Sequence, residues 1–228
     1  MAGRLSSAGK VVGAAGLGAL VWFGAPPLLR GLEFFRVRRV EITGLQYLEP
    51  SKVIAALRLS PEASVFDDPA PLARRVLALP GITSAKVGRH VPGTLLIEVN
   101  EAVPVALALR GDALAMLDAG GRVLPFDPVG LAPDLPLAAA ADGVVARVLG
   151  LVRDSDLDLF GRIDAAWRVG PDVVLEVDGR RLWFGARVSA EDIRAVMAVA
   201  QALTRQGRRY QELDGRFAGQ VIVRGVRA

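Results

Sequence analysis

The chain is 228 residues long, 52% hydrophobic and 23% charged, with 28 Lys and Arg against 24 Asp and Glu. That length allows one large domain or two modest ones. With no cysteine and a net charge of +4 spread among few aromatic residues, disulfides, thiol catalysis, zinc–thiolate sites and a basic nucleic-acid groove all drop out.

A mean hydropathy of +0.36 directs attention first to a membrane segment. After a short tail at residues 1–10, the run VVGAAGLGALVWFGAPPLL at 11–29 carries no charge and lies between Lys10 and Arg30. As a helix it would be about 28 Å long, close to one hydrocarbon core. Trp22 and Phe23 suit an interface, and Pro26-Pro27 mark the exit. No A-x-A pattern closes the run, so it reads as an uncleaved anchor over 11–30 rather than a signal peptide. Arg4 and Lys10 favour a cytoplasmic N-terminus, but Arg30, Arg36, Arg38 and Arg39 outnumber them beyond the run. The positive-inside count therefore leaves the orientation open.

Beyond the anchor, FRVRRVEITG at 35–44 reads as a strand. Phe35 and Val37 alternate in one phase and Val40 and Ile42 in the other, which predicts a bend or bulge, and Gly44 ends the run. Pro50 opens a short helix with Val53, Ile54 and Leu57 as its apolar positions. Asp68-Pro69 opens a second, with Leu72, Val76 and Leu79 on one face and Pro80-Gly81 at its end. Two alternating runs then flank Pro92-Gly93. Val87, Arg89 and Val91 share a face of the first, and Leu95, Ile97 and Val99 share a face of the second.

A second stretch begins near Val105. Residues 106–126 alternate around a turn at Asp118–Gly121, and the Pro- and Ala-rich residues 127–142 read as an ordered loop. Val145, Val148, Leu149 and Val152 form a helical stripe, and DVVLEVDGRRLWFG at 172–185 is a hairpin turning at Asp178-Gly179. Ser189 with Asp192 resembles a capping box ahead of a helix carrying Ile193, Val196, Met197, Ala200 and Leu203 on one face. Near the end, ELDGRFAGQVIVRGVRA gives a turn and a last strand at about 220–226.

Reactive chemistry is sparse. The lone His90 has neither a second histidine nor a cysteine to share a metal. Asp67-Asp68 and Glu191-Asp192 sit where helix caps belong, and Asp154, Asp156 and Asp158 read as a solvated loop without the glycine and distal glutamate of a calcium site. Ser189 is better explained by capping than by nucleophilic catalysis, and Gly120-Gly121 is too short to cradle a phosphate. The expectation is a non-enzyme with no cofactor, no metal, no small-molecule substrate and no nucleic acid. The last strand offers something else: Val221 and Val223 share one face, with Gln220, Ile222 and Arg224 on the other. It reads either as an open edge to which a partner adds a strand, or as an edge blunted by Arg224 and Arg227.

Several of these residues carry a family resemblance. Phe35, Val37, Val40, Ile42 and Gly44, then Leu79-Pro80, Val87, Arg89, Pro92, Leu95, Glu101 and Pro104, resemble the POTRA domain of the FtsQ/DivIB bacterial cell-division proteins. DGRRLWFG and LDGRFAGQVIVR resemble the β-domain of the same family, although Val91 stands where that family often has an aromatic residue. The implied fold class is α+β: a single transmembrane helix, a POTRA-like β-α-α-β-β module over 35–104, and a mainly antiparallel β-domain with flanking helices over 105–228. The implied function is a single-pass inner-membrane scaffold of the divisome at the septum, with a cytoplasmic N-terminus and a periplasmic bulk. Its implied partners are FtsB- and FtsL-type proteins, bound through Arg216, Phe217, Gln220, Val221, Ile222, Val223 and Arg224. The resemblance also implies recruitment through the first strand and second helix of the POTRA module. The other reading is a POTRA-bearing factor for assembly of outer-membrane or secreted proteins.

Overall fold

The structure is a computed structural model that describes residues 29, 31–131, 133–217 and 219–225. Apart from Leu29, the anchor expected at 11–30 lies outside these residues. Among the described residues no helix is long and apolar enough to cross a membrane. The fold is α+β and divides into two units between Glu101 and Ala102.

The first unit runs β1 (Arg39–Thr43), α1 (Pro50–Leu57), α2 (Pro69–Leu77), β2 (Ile82–His90) and β3 (Thr94–Glu101). Its sheet has the order β1-β3-β2, with β1 parallel and β2 antiparallel to the central strand. Alternation on β3 sends Leu95, Ile97 and Val99 into the core, opposite Arg89, Val87 and Ala85 on β2. Val53 and Leu57 of α1 and Leu72 and Val76 of α2 close over them, whereas Ile54 stays exposed. Pro50 and Pro69 open the two helices, and Asp68 Oδ1 caps the second by accepting from Ala70 N at 2.9 Å.

The phase slip expected in residues 35–44 has a concrete cause. Glu33–Phe35 form a 3₁₀ turn and the strand proper starts only at Arg39. Arg38 N and Arg39 N both donate to Gly93 O, at 2.8 and 3.1 Å, so one residue is spent before regular pairing begins. At the other end Gly44 has φ +88, and a Cβ there would stand 1.9 Å from Val99 O. Only glycine fits.

The second unit holds a nine-stranded sheet of order β12-β11-β10-β9-β8-β7-β4-β5-β6. Its strands are β4 (Pro104–Arg110), β5 (Ala113–Asp118), β6 (Val123–Leu124), β7 (Leu137–Ala138), β8 (Ile163–Val169), β9 (Asp172–Val177), β10 (Arg180–Phe184), β11 (Glu212–Phe217) and β12 (Gln220–Arg224). The helices are α3 (Pro128–Leu131), α4 (Gly143–Ser155), α5 (Leu157–Phe160) and α6 (Ala190–Arg205). Most strand pairs are antiparallel, but β4–β7, β7–β8 and β10–β11 are parallel. One lateral row crosses the sheet on the face that α4 and α6 cover: Ala108, Ala138, Ala166, Leu175, Leu182 and Leu213, all buried.

The sequence reading is corrected at several points in this unit. An additional tight turn at Gly111-Asp112 separates β4 from β5. Residues 127–142 are not only loop, since they contain α3 and β7, and β7 lies in the interior of the sheet. Asp154, Asp156 and Asp158 do not form a loop: Asp154 lies in the last turn of α4, Asp158 lies in α5, and Asp156 is the single residue between them, its Oδ1 accepting from Leu159 N at 2.9 Å to cap α5. Strands β8 and β11 had no counterpart in the sequence reading. By contrast, Ser189 and Asp192 form the reciprocal capping box, and Asp178 and Gly179 take the positive φ values that a two-residue hairpin demands.

One side chain ties the ends of the first unit together. The Glu101 carboxylate, at the end of β3, accepts from Gln46 N, Tyr47 N and Leu48 N at 2.7, 2.8 and 2.8 Å. It thereby fixes the loop that feeds α1. Glu101→Ala is expected to lower unfolding stability by about 2–3 kcal/mol, because charge-assisted bonds to main-chain donors are lost together. Urea titration of the parent and the variant measures this, and a change under 0.5 kcal/mol, roughly that of a neutral surface substitution, contradicts it.

Candidate partner-binding edge

Strand β12 ends the nine-stranded sheet and pairs only with β11. The antiparallel register sets Glu212 opposite Arg224, Leu213 opposite Val223 and Asp214 opposite Ile222, with a bulge before Phe217 pairs with Gln220. Gln211 N donates to Arg224 O at 2.9 Å, so the main chain of Arg224 faces inward. Alternation turns Ile222 and Gln220 inward as well, and turns the N–H and C=O of Val221 and Val223 outward. No further strand of the described chain meets them.

The two faces of this edge differ. On the helix-covered face Val221 packs against the core, while Val223 lies opposite buried Leu213 and is itself exposed. A groove of about 280 Å³ runs there between α6 and the edge, lined by Glu191, Ala195, Val196, Phe217, Gln220 and Val221, among others. The helix comes this close because residue 215 is glycine. A Cβ at that position would stand 2.5 Å from Val196 Cγ2.

The opposite face carries a charged network. Asp214 is fully buried, an arrangement that a lone carboxylate does not tolerate. Arg216 answers it with Nε to Oδ1 at 2.8 Å and Nη2 to Oδ2 at 2.6 Å, while its Nη1 reaches Asp172 Oδ2 at 2.7 Å. The same guanidinium lies over the Trp183 ring, 5.0 Å from its centroid. From the edge strand Arg224 donates to Asp214 Oδ2 at 3.3 Å and to Glu212 Oε2 at 3.1 Å. The hydrogen bonds from Arg216 hold the Asp214 carboxyl below its ordinary value despite burial, and those carboxylates raise the Arg216 guanidinium above its own.

Of the seven residues singled out in the sequence, Gln220–Arg224 form the edge strand β12 and Arg216 and Phe217 close the neighbouring strand β11, with divided roles. Phe217, Ile222 and Val223 are exposed apolar groups, Gln220 is exposed and Val221 is half-buried. Arg216 and Arg224 are engaged inside the chain. Asp214, Asp172 and Glu212, which hold them, were not anticipated. The available signal was the placement of Glu212 and Asp214 two apart in an alternating run ahead of Arg216, which a strand puts on one face. Elsewhere His90 is exposed on its hairpin, and among the described residues no cluster of His, Cys, Asp and Glu could hold a metal ion.

Comparison with known proteins identifies the setting of this edge. The family model described as "POTRA domain, FtsQ-type" matches residues 35–102, which take in all the strands and α-helices of the first unit. The cell division protein FtsQ of Rhodothermus marinus is 32% identical over 217 residues, covering 85% of this chain and 79% of that protein. The chain belongs to the FtsQ family of cell division proteins. FtsQ of Corynebacterium glutamicum is 25% identical over 205 residues, covering 85% of this chain and 86% of its own. Among solved structures, the extracytoplasmic domain of DivIB from Geobacillus stearothermophilus is 20% identical, covering 46% of this chain and 97% of that one at a TM-score of 0.34. The FtsQ matches reach beyond the POTRA segment, so the unit that carries the β12 edge belongs to the shared length.

The network predicts a pH signature for this FtsQ-family chain. Asp214→Ala is expected to lose about 3 kcal/mol of stability at pH 7, since it takes from Arg216 two of its three carboxylate bonds and from Arg224 one of its two. A carboxyl whose value falls on folding stabilises the native state above its unfolded value, near 4, and ceases to do so as the pH drops through the lower folded value. Urea titrations at pH 7, 5 and 3 should show the gap between parent and variant intact at the first two and narrowed at the third. A gap that widens at pH 3 contradicts this.

Proposed function

We propose that this chain is a non-enzymatic scaffold of the bacterial divisome, held in the inner membrane by a single span at residues 11–30. In this reading residues 1–10 are cytoplasmic, a POTRA domain occupies 35–104, and the β-domain at 105–228 works in the periplasm at the septum. Strand β12 receives FtsB- and FtsL-type partners, linking recruitment at the division site with septal wall synthesis. The outward main chain of Val221 and Val223 carries the proposal: it offers unpaired donors and acceptors in β geometry. Around it, Phe217, Ile222 and Val223 supply exposed apolar contact, while Gln220, Val221, Arg216 and Arg224 shape and hold the edge. Strand addition needs register and two flanking faces, and no reactive side chain. That agrees with an edge whose arginines, Arg216 and Arg224, are engaged by carboxylates of the same sheet.

The orientation of the amides makes the proposal testable with proline, which deletes one donor. Val223→Pro removes an N–H that β11 does not use, so the fold should survive while binding of an FtsB–FtsL complex weakens by about tenfold or more. Val223→Ala keeps the N–H and should weaken binding by less than about threefold. Ile222→Pro removes an inward N–H and should lower the melting temperature instead. Binding measured by fluorescence anisotropy, with circular dichroism on each variant, separates the three. Equal losses for proline and alanine at 223 would move recognition from the main chain to the side chain. Unchanged binding in both would remove β12 from the interface.

A further inference from the structure

Two segments distant in sequence meet at one end of the first unit: residues 31–39 and the tip of the β2–β3 hairpin. Arg38 N and Arg39 N bond to Gly93 O, and Arg38 Nη2 donates to Phe34 O at 3.3 Å. Three rings follow in edge-to-face contact, Phe34 against Phe35 and Phe35 against Phe66, with centroids 5.1 and 5.0 Å apart. Arg38 lies over the first ring and Arg89 over the last. This cluster fixes the position of the segment relative to the hairpin.

The surface so built is both apolar and cationic. Leu32, Phe34 and Val91 are 50%, 62% and 52% exposed, and Arg38, Arg39, Arg89 and His90 are exposed on the same two segments. Glu33 is paired with Arg36 at 3.1 Å, and Glu41 lies 3.8 Å from Arg39. Among the described residues Arg38 and Arg89 have no carboxylate partner. Phe34 lies five residue steps from Leu29, the last of the uncharged run, which limits their separation to about 18 Å of extended chain.

We propose that this end of the first unit lies on the membrane and binds anionic phospholipid head groups. Phe34, Leu32 and Val91 enter the interface, and Arg38, Arg39 and Arg89 contact the phosphates. The inference rests on the reading that residues 11–30 cross the bilayer. It gives a role to Arg38 and Arg39, which the positive-inside count leaves without one: they hold the first unit down on the outer leaflet. Exposed aromatic and aliphatic groups beside cations are the combination that an anionic interface selects. Each cation brought to such a surface raises the bound population about fivefold.

Absence of cysteine allows single labels on the full chain. The chain is reconstituted in nanodiscs of phosphatidylcholine alone or with phosphatidylglycerol, with an environment-sensitive fluorophore on Val91→Cys, Thr83→Cys or Gly18→Cys and quenching by spin-labelled lipid. Thr83 lies about 25 Å from Val91 along the same hairpin. Expected are quenching at 91 but not at 83, strong only in anionic discs, and a bound-to-free ratio about twenty-five-fold lower with Arg39→Glu, which changes the charge by two. Phe34→Ser should act in the same direction, and circular dichroism confirms that both variants are folded. Quenching at 18 without quenching at 91 overturns the proposal while leaving the anchor in place. Equal quenching at 91 in both lipids also overturns it. No quenching at 18 removes the anchor reading, and the proposal with it.

Discussion

A buried carboxylate decides how the edge of the large sheet is held. Asp214 is fully buried and surrounded by charges of the opposite sign, Arg216 from its own strand and Arg224 from the last one. Strand β12 has a neighbour on one side only, so it lacks the second ladder that steadies an interior strand. The ion network replaces part of that missing support without using the outward main chain. The edge can therefore be ordered and unpaired at once, which is what strand addition requires.

The same sheet solves a packing problem by position. Its helix-covered row changes from leucine at β9, β10 and β11 to alanine at β8, β7 and β4. The small residues lie where α4 comes down, with Val145, Val148, Leu149 and Val152 buried on that helix. At the other end of the row α6 packs over β11 and β12, and its approach depends on Gly215. Strand β7 is two residues long, yet it joins β4 to β8 by parallel pairing on both sides. A segment so short has no stability of its own; its neighbours make it a strand.

The first unit follows a different economy. Its two helices and three strands bury a compact apolar set, and one carboxylate, Glu101, gathers three main-chain donors from a loop more than fifty residues away in sequence. The POTRA model ends at residue 102, one residue beyond that carboxylate. The FtsQ-type POTRA model thus matches a unit whose distinctive residues are mostly packing and turns, while the surface proposed for partner contact lies in the other unit.

By itself the sequence determined the elements whose signals are local. Alternation at Leu95, Ile97 and Val99, proline at the head of α1 and α2, the Ser189–Asp192 cap and the Asp178-Gly179 turn each depend on residues within a few positions of one another, and each stands in the structure. The alternation of Gln220, Val221, Ile222 and Val223 was legible for the same reason, whereas Phe217 was singled out only through the family resemblance. Only the tertiary structure decided what local pattern cannot encode. It made strands of Leu137–Ala138, Ile163–Val169 and Glu212–Phe217, turned Arg216 and Arg224 toward Asp214, and set the amide of Val223 outward. Those outcomes depend on which strand lies alongside, and a chain brings such neighbours together only when it closes its core.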